Sequence, residues 1–211
     1  MSWDWIGSHG PLIGSLLGEH LYLSVVPVVL GLVIALPVGI VCARYRRLYG
    51  PVLAATSILY AIPSLALFVF LIGITGLRNE TVLIPLTLYT LSVLVRNVVD
   101  GMRSVPEPVR DAATGMGFGP LRRLVQVELP VAIPLVVAGV RVATVSNISM
   151  VSIGSLLGFG GLGQLFTTYG IQLNFFTTAI IVGVVLSVAL AVAADALLVG
   201  LQRLLTPWAP R

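Results

Sequence analysis

Five stretches of the chain are apolar over a length that crosses a bilayer, and short clusters of polar residues separate them. They run approximately from Leu21 to Ala43, Val52 to Thr75, Val82 to Val99, Val131 to Leu157 and Thr177 to Leu201. A helix needs about 20 mostly apolar residues to traverse the hydrocarbon layer, where only internally hydrogen-bonded backbone is tolerated. The pattern predicts five membrane helices in a single domain spanning residues 1–211. Pro27, Pro37, Pro63, Pro85 and Pro134 fall inside or at the ends of these stretches, so kinks are expected.

Composition removes the soluble alternatives. Apolar residues make up 57% of the 211 and charged residues 9%, with a mean hydropathy of +1.05, too few polar side chains to coat a globule of this size in water. Lipid must solvate much of the surface, which excludes a soluble enzyme. All 12 basic residues are Arg, and the formal charge of +4 includes no basic run that would favour nucleic acid. A single cysteine, Cys42, permits neither an intrachain disulfide nor a cysteine-based metal site. The N-terminal segment opens with an acid and two Trp and is expected to be retained rather than cleaved as a signal peptide.

The arginines set the orientation. Nine of them lie after the first span, between the third and fourth, or after the fifth, whereas the opposite side has Arg78 alone. By the positive-inside tendency the N-terminus is outside and the C-terminus cytoplasmic. His9 and His20 then sit on the outer side, at a spacing that makes no metal motif, and read as solvated residues.

The longest polar segment, Asp100 to Pro130, falls on the cytoplasmic side. PEPVRDAATGMG reads as a short helix with Pro108 in its first turn and with Gly115 and Gly117 stopping it. A second short helix follows Gly119-Pro120, with Leu121, Leu124 and Val125 opposite Arg122, Arg123 and Gln126, and Leu129-Pro130 is expected to end it. Two roles fit such an elbow: an amphipathic segment floating on anionic headgroups, or a docking surface whose Ala112 and Ala113 let a partner approach the backbone closely.

The stretch from Asp111 to Pro130 resembles the signature of permease subunits of ATP-binding-cassette importers: Glu-Ala-Ala, three residues, Gly, nine residues, Ile, one residue, Leu-Pro. Asp111, Ala112, Ala113, Gly117, Val127, Leu129 and Pro130 occupy those positions without a gap, with Asp111 for Glu and Val127 for Ile. YAIPSLALFVFL from Tyr60, VELPVAIPLVVAGVRVATV from Val127 and GFGGLGQL from Gly158 read like the permeases for compatible solutes such as glycine betaine, carnitine and choline. The resemblance implies an all-α type I importer permease fold, with the elbow as the coupling helix seated in a separate cytoplasmic ATPase. It also implies a second permease copy, an extracytoplasmic solute-binding protein and a location in the bacterial inner membrane. ATP and Mg belong to the partner ATPase, and the chain itself carries no cofactor. A permease for methionine or another small amine is the nearest alternative. An ATP-independent channel or carrier would show a charge-lined pore or inverted halves, and neither is present.

Within the spans, Arg141 and Asp195 are the conspicuous charges. From the expected helix ends they lie about 15 Å and 9 Å from the cytoplasmic side, a gap that a snorkelling Arg closes in part. They are expected either to pair, locking two helices, or to reach the interface separately. Thr144, Asn147, Ser152 and Ser155 share half of the fourth span and fit either packing or a water-lined path, with Asn147 the foremost path residue. Gly158 to Gly163 satisfies G-x-G-x-x-G, but no strand precedes it, so the dinucleotide reading is rejected. It is expected to be a bend, followed by Phe159, Phe166, Tyr169, Phe175 and Phe176 either as an outer gate or as ordinary interfacial aromatics.

Overall fold

The computed structural model describes residues 2–208, and all their regular structure is helical. A short helix, α1 (Trp3–Ser8), leads into α2 (Gly10–Arg44), α3 (Arg46–Ala61), α4 (Ser64–Thr75) and α5 (Glu80–Arg103). Then come α6 (Glu107–Gly115), α7 (Pro120–Arg123), α8 (Leu129–Gly154), α9 (Gly163–Phe166) and α10 (Thr177–Leu205). Four helical stretches are long and apolar enough to cross a membrane unaided, and α3 with α4 makes a fifth only as a bent pair.

The second span departs from the straight helix expected over 52–75. Its halves meet at 87° across Ile62-Pro63. A residue before proline is pushed out of the α region, and Ile62 is extended at φ −68° and ψ 128°. The carbonyl this frees is not orphaned, because Tyr89 Oη donates to Ile62 O at 2.9 Å. Pro27, Pro37, Pro85 and Pro134 all sit inside unbroken helices.

The first span is longer than expected, starting at Gly10 rather than Leu21, with Pro11 in its first turn where a missing N–H costs nothing. Its 35 residues cover about 52 Å at 1.5 Å each, more than the hydrocarbon thickness. The N-terminal end therefore packs under the loops, where Leu16 joins Leu162, Leu165 and Val182.

The core is where α2, α5 and α8 meet. Leu23, Leu86, Tyr89 and Val151 pack with Phe68 and Phe159 toward the end that carries the glycine-rich loop, and Val28, Ala35, Leu94, Val95 and Ala143 pack toward the elbow. Lipid tails are as apolar as leucine, so close packing rather than expulsion from water holds such helices together. The α2–α5 seam shows this directly. A Cβ on Gly31 would lie 2.5 Å from Thr90 Cγ2, and one on Gly39 would lie 2.5 Å from Val98 Cγ1.

Candidate functional site

At the end of the bundle where α2 and α5 finish, α6 runs from Pro106 to a turn whose geometry explains the glycine of the signature. Gly117 has φ +81°, its N–H donates to Thr114 O at 2.9 Å, and Phe118 N–H donates to Ala113 O at 3.1 Å. These paired bonds form a Schellman motif, in which the left-handed residue is normally glycine because a Cβ would strain it. Asp111, Ala112 and Gly117 are exposed, while Ala113 is buried and holds the helix down. Met116 and Leu121 are 69% and 74% exposed, leaving an apolar rim beside the acid.

The second half of the elbow differs from the expectation. Leu129-Pro130 does not end a helix. The chain continues from Pro120 through a π-helical turn, Leu124–Glu128, straight into α8, with Pro130 in its first turn. The fourth span and the second arm of the elbow are thus one continuous helical stretch, joined to α6 by the turn over residues 116–119, so force on α6 reaches the span through that turn. Val127, Leu129 and Pro130 are half-buried at this junction.

Between them sits a residue that motif matching overlooked. Glu128 is buried and accepts from Arg123 Nε at 2.8 Å, with Arg110 Nε at 4.0 Å. Arg123 Nη1 also donates to Thr114 Oγ1 at 3.0 Å, and Arg110 caps the end of α5 through Met102 O. One carboxylate therefore ties α6 and the end of α5 to the base of α8. An acid amid VQVELP was the available signal.

In the membrane, Arg141 and Asp195 meet in a forked ion pair, Nε to Oδ1 at 2.7 Å and Nη2 to Oδ2 at 2.9 Å. The fifth span runs on to Leu205 rather than Leu201, which places Asp195 about 15 Å from its end and level with Arg141. The two side chains are 34% and 36% exposed, in a cleft of about 410 Å³ formed with Ala138, Val142, Val145 and Ser146.

The four small polar residues of the fourth span separate. Asn147 is buried, donates to Thr90 Oγ1 at 3.1 Å and lines a water-sized cavity with Tyr60, Tyr89 and Ser146. Thr144 donates back to Val140 O and Ser152 to Ile148 O, while Ser155 donates to Ser152 O and accepts from Thr167 Oγ1 at 3.4 Å. Ser146, outside the expected face, borders both the cavity and the cleft.

The glycine-rich loop is a bend, as its composition requires, with Gly158 at φ +87° and Gly161 at φ +94°. Its aromatics do not form one surface. Phe159 is buried in the core, whereas Phe175 points outward. His20, read from sequence as solvated, is fully buried: Leu162 N–H donates to its Nδ1 at 3.1 Å, and its Nε2 lies 3.0 Å from Ile148 O. The long N-terminal end of α2 carries this imidazole under the loop and so removes it from water. The accepting Nδ1 fixes the proton on Nε2.

Residues 35–208 match the family of binding-protein-dependent transport system inner membrane components. The chain belongs to that family. It is 36% identical over 189 residues to the glycine betaine/carnitine/choline transport system permease protein OpuCD of Bacillus subtilis, covering 90% of this chain and 82% of that one. It is also 36% identical over 200 residues to the osmoprotectant import permease protein OsmW of Salmonella typhimurium, covering 92% of each. Among solved structures, a chain of the MetNI methionine ABC transporter in an inward-facing conformation superposes with a TM-score of 0.83 at 25% identity, covering 98% of this chain and all of that one. A membership resting on most of the chain makes this an all-helical transport permease of the ABC importer type, a multi-pass membrane protein.

Proposed function

We propose that this permease forms the path for a compatible solute, glycine betaine, carnitine, choline or a similar quaternary amine, into the cytoplasm. A separate ATPase drives it by gripping the elbow at Asp111, Ala112, Ala113 and Gly117, with Val127, Leu129 and Pro130 carrying the motion into the fourth span. A second copy of the chain or a similar subunit completes the path, and an external binding protein delivers the solute. The observation that carries this reading is the elbow itself. An exposed helix, α6, held by a Schellman turn and by the cluster at Glu128, connects through residues 116–119 to a second arm that is continuous with a membrane span, in a chain whose relatives are named for osmoprotectants.

The proposed cycle uses this geometry. Nucleotide-driven closure of the ATPases draws the two elbows together. Because Pro120–Leu157 is one helical stretch, the pull tilts the fourth span against the fifth. Asn147, foremost among the path residues, with Thr144, Ser152 and Ser155 behind it, lies on the moving span. Methionine or another small amine is the second reading, favoured by the close superposition on the methionine transporter chain.

Solute-stimulated ATP hydrolysis by the reconstituted complex with its binding protein decides between them. Betaines, carnitine and choline are expected to stimulate hydrolysis and methionine to leave it at the basal rate; the reverse pattern selects the amino-acid reading. Gly117→Asp is expected to release the ATPase on purification, because any side chain at φ +81° strains the turn by about 1–2 kcal/mol and this one adds charge at the contact. Unchanged co-purification removes the coupling role.

A further inference from the structure

We propose that the Arg141–Asp195 pair is a resting site for a small zwitterion on the solute path, the ligand's carboxylate on the guanidinium and its ammonium against the aspartate. The inference rests on reading the chain as the solute-conducting subunit and names the chemistry that subunit admits. A helix lock alone would be served by a pair sealed between α8 and α10. Here about a third of each side chain opens into a cleft of about 410 Å³ at mid-span. Charged groups at that depth face water or protein rather than lipid. On this proposal the cleft is wet, and Ser146 joins it to the small cavity lined by Tyr60, Tyr89 and Asn147.

Each partner keeps capacity in reserve. A guanidinium has five N–H donors and two flat edges suited to carboxylates. The pair uses the Nε–Nη2 edge, and among the described residues nothing accepts from Nη1. Asp195 accepts one bond on each oxygen, about half of what a carboxylate can take. A zwitterion laid head-to-tail along the pair meets an opposite charge at both ends without breaking it. A lone cation or a lone carboxylate gains one attraction and one repulsion. The cleft thus selects for two opposite charges on one small molecule, which fits glycine betaine and carnitine among the proposed solutes and leaves choline, a cation alone, without a resting place at this pair.

The test uses the reconstituted complex with Val142→Cys, a residue of the cleft wall, in a Cys42→Ala background, and reads the rate of maleimide labelling. Glycine betaine and glycine are each expected to slow labelling, and tetramethylammonium acetate at the same concentration is not. Arg141→Lys keeps the charge but loses the second edge, so protection should need about ten to a hundred times more zwitterion, the value of one charge-assisted hydrogen bond. Asp195→Asn frees the whole guanidinium, and acetate alone should then protect. Absence of protection by either zwitterion, equal protection by the separated ions, or protection indifferent to Arg141→Lys overturns the site. Protection by glycine alone keeps the site and moves its ligand toward amino acids. Failure of the compatible-solute reading appears elsewhere, as betaines that do not stimulate ATP hydrolysis whatever the labelling reports.

Discussion

Tyr89 illustrates how much a single hydroxyl can settle in a membrane. Its bond to Ile62 O is what lets the second span turn through 87° without leaving a bare carbonyl in an apolar setting. Its ring also packs edge-on to Tyr60, on the other side of that turn. Tyr89→Phe keeps the ring and removes the donor, so it is expected to destabilise the permease by about 1–3 kcal/mol, the usual cost of a buried group left unpaired. Thermal unfolding in detergent checks this, and an unchanged midpoint would mean that water takes the place of the hydroxyl. At this scale the sequence was legible where a residue is anomalous for its surroundings. Arg141 and Asp195 stand out because charges in apolar runs must be accounted for. His20 and Tyr89 did not, because their partners are backbone groups 128 and 27 residues away, and no local pattern announces a distant carbonyl.

Among the elements, the five apolar stretches were readable because bilayer thickness imposes a length on any spanning helix. The break at Pro63 was not, since Pro27, Pro37, Pro85 and Pro134 present the same residue in similar surroundings and remain within continuous helices. Helix ends were missed for a related reason. Apolar content marks where lipid stops, while α2 and α10 continue past it because protein or headgroups receive them. The elbow's motif was plain, yet its second arm was misread as ending at Leu129-Pro130, because a proline in the first turn of a new helical segment and one just past an old segment look alike. The rod-like continuity gives Glu128 its importance. Glu128→Ala leaves Arg123 and Arg110 without their shared carboxylate and loosens α6 from the base of α8, at a cost of about 1–3 kcal/mol given the partly exposed arginines. The ATPase is expected to stay bound while solute moved per ATP falls severalfold. A coupling ratio equal to wild type would assign the cluster to folding alone.

For the whole molecule, direction in the membrane decides what the elbow and the glycine loop can touch. The two ends of the bundle differ in chemistry. Arg44, Arg103, Arg110, Arg122 and Arg123 collect where α2 and α5 finish and the elbow begins, and Arg103 stacks over Tyr49 at 4.6 Å as an interfacial anchor would. The other end carries Glu19 and Glu80, the buried His20, and Trp5 stacked on His9. The positive-inside bias therefore predicts that the arginine-rich end lies in the cytoplasm, within reach of nucleotide, and that the glycine loop faces the side from which a binding protein approaches. Ser2→Cys and Pro207→Cys, both at exposed positions and each in the Cys42→Ala background, test this in intact cells with a membrane-impermeant maleimide. Ser2→Cys should label at once and Pro207→Cys only after permeabilisation. The opposite pattern would place the elbow outside, where no ATPase could hold it, and would overturn the proposed importer. An equal response at both ends would show that the chain inserts in both directions, which nine arginines against one should prevent.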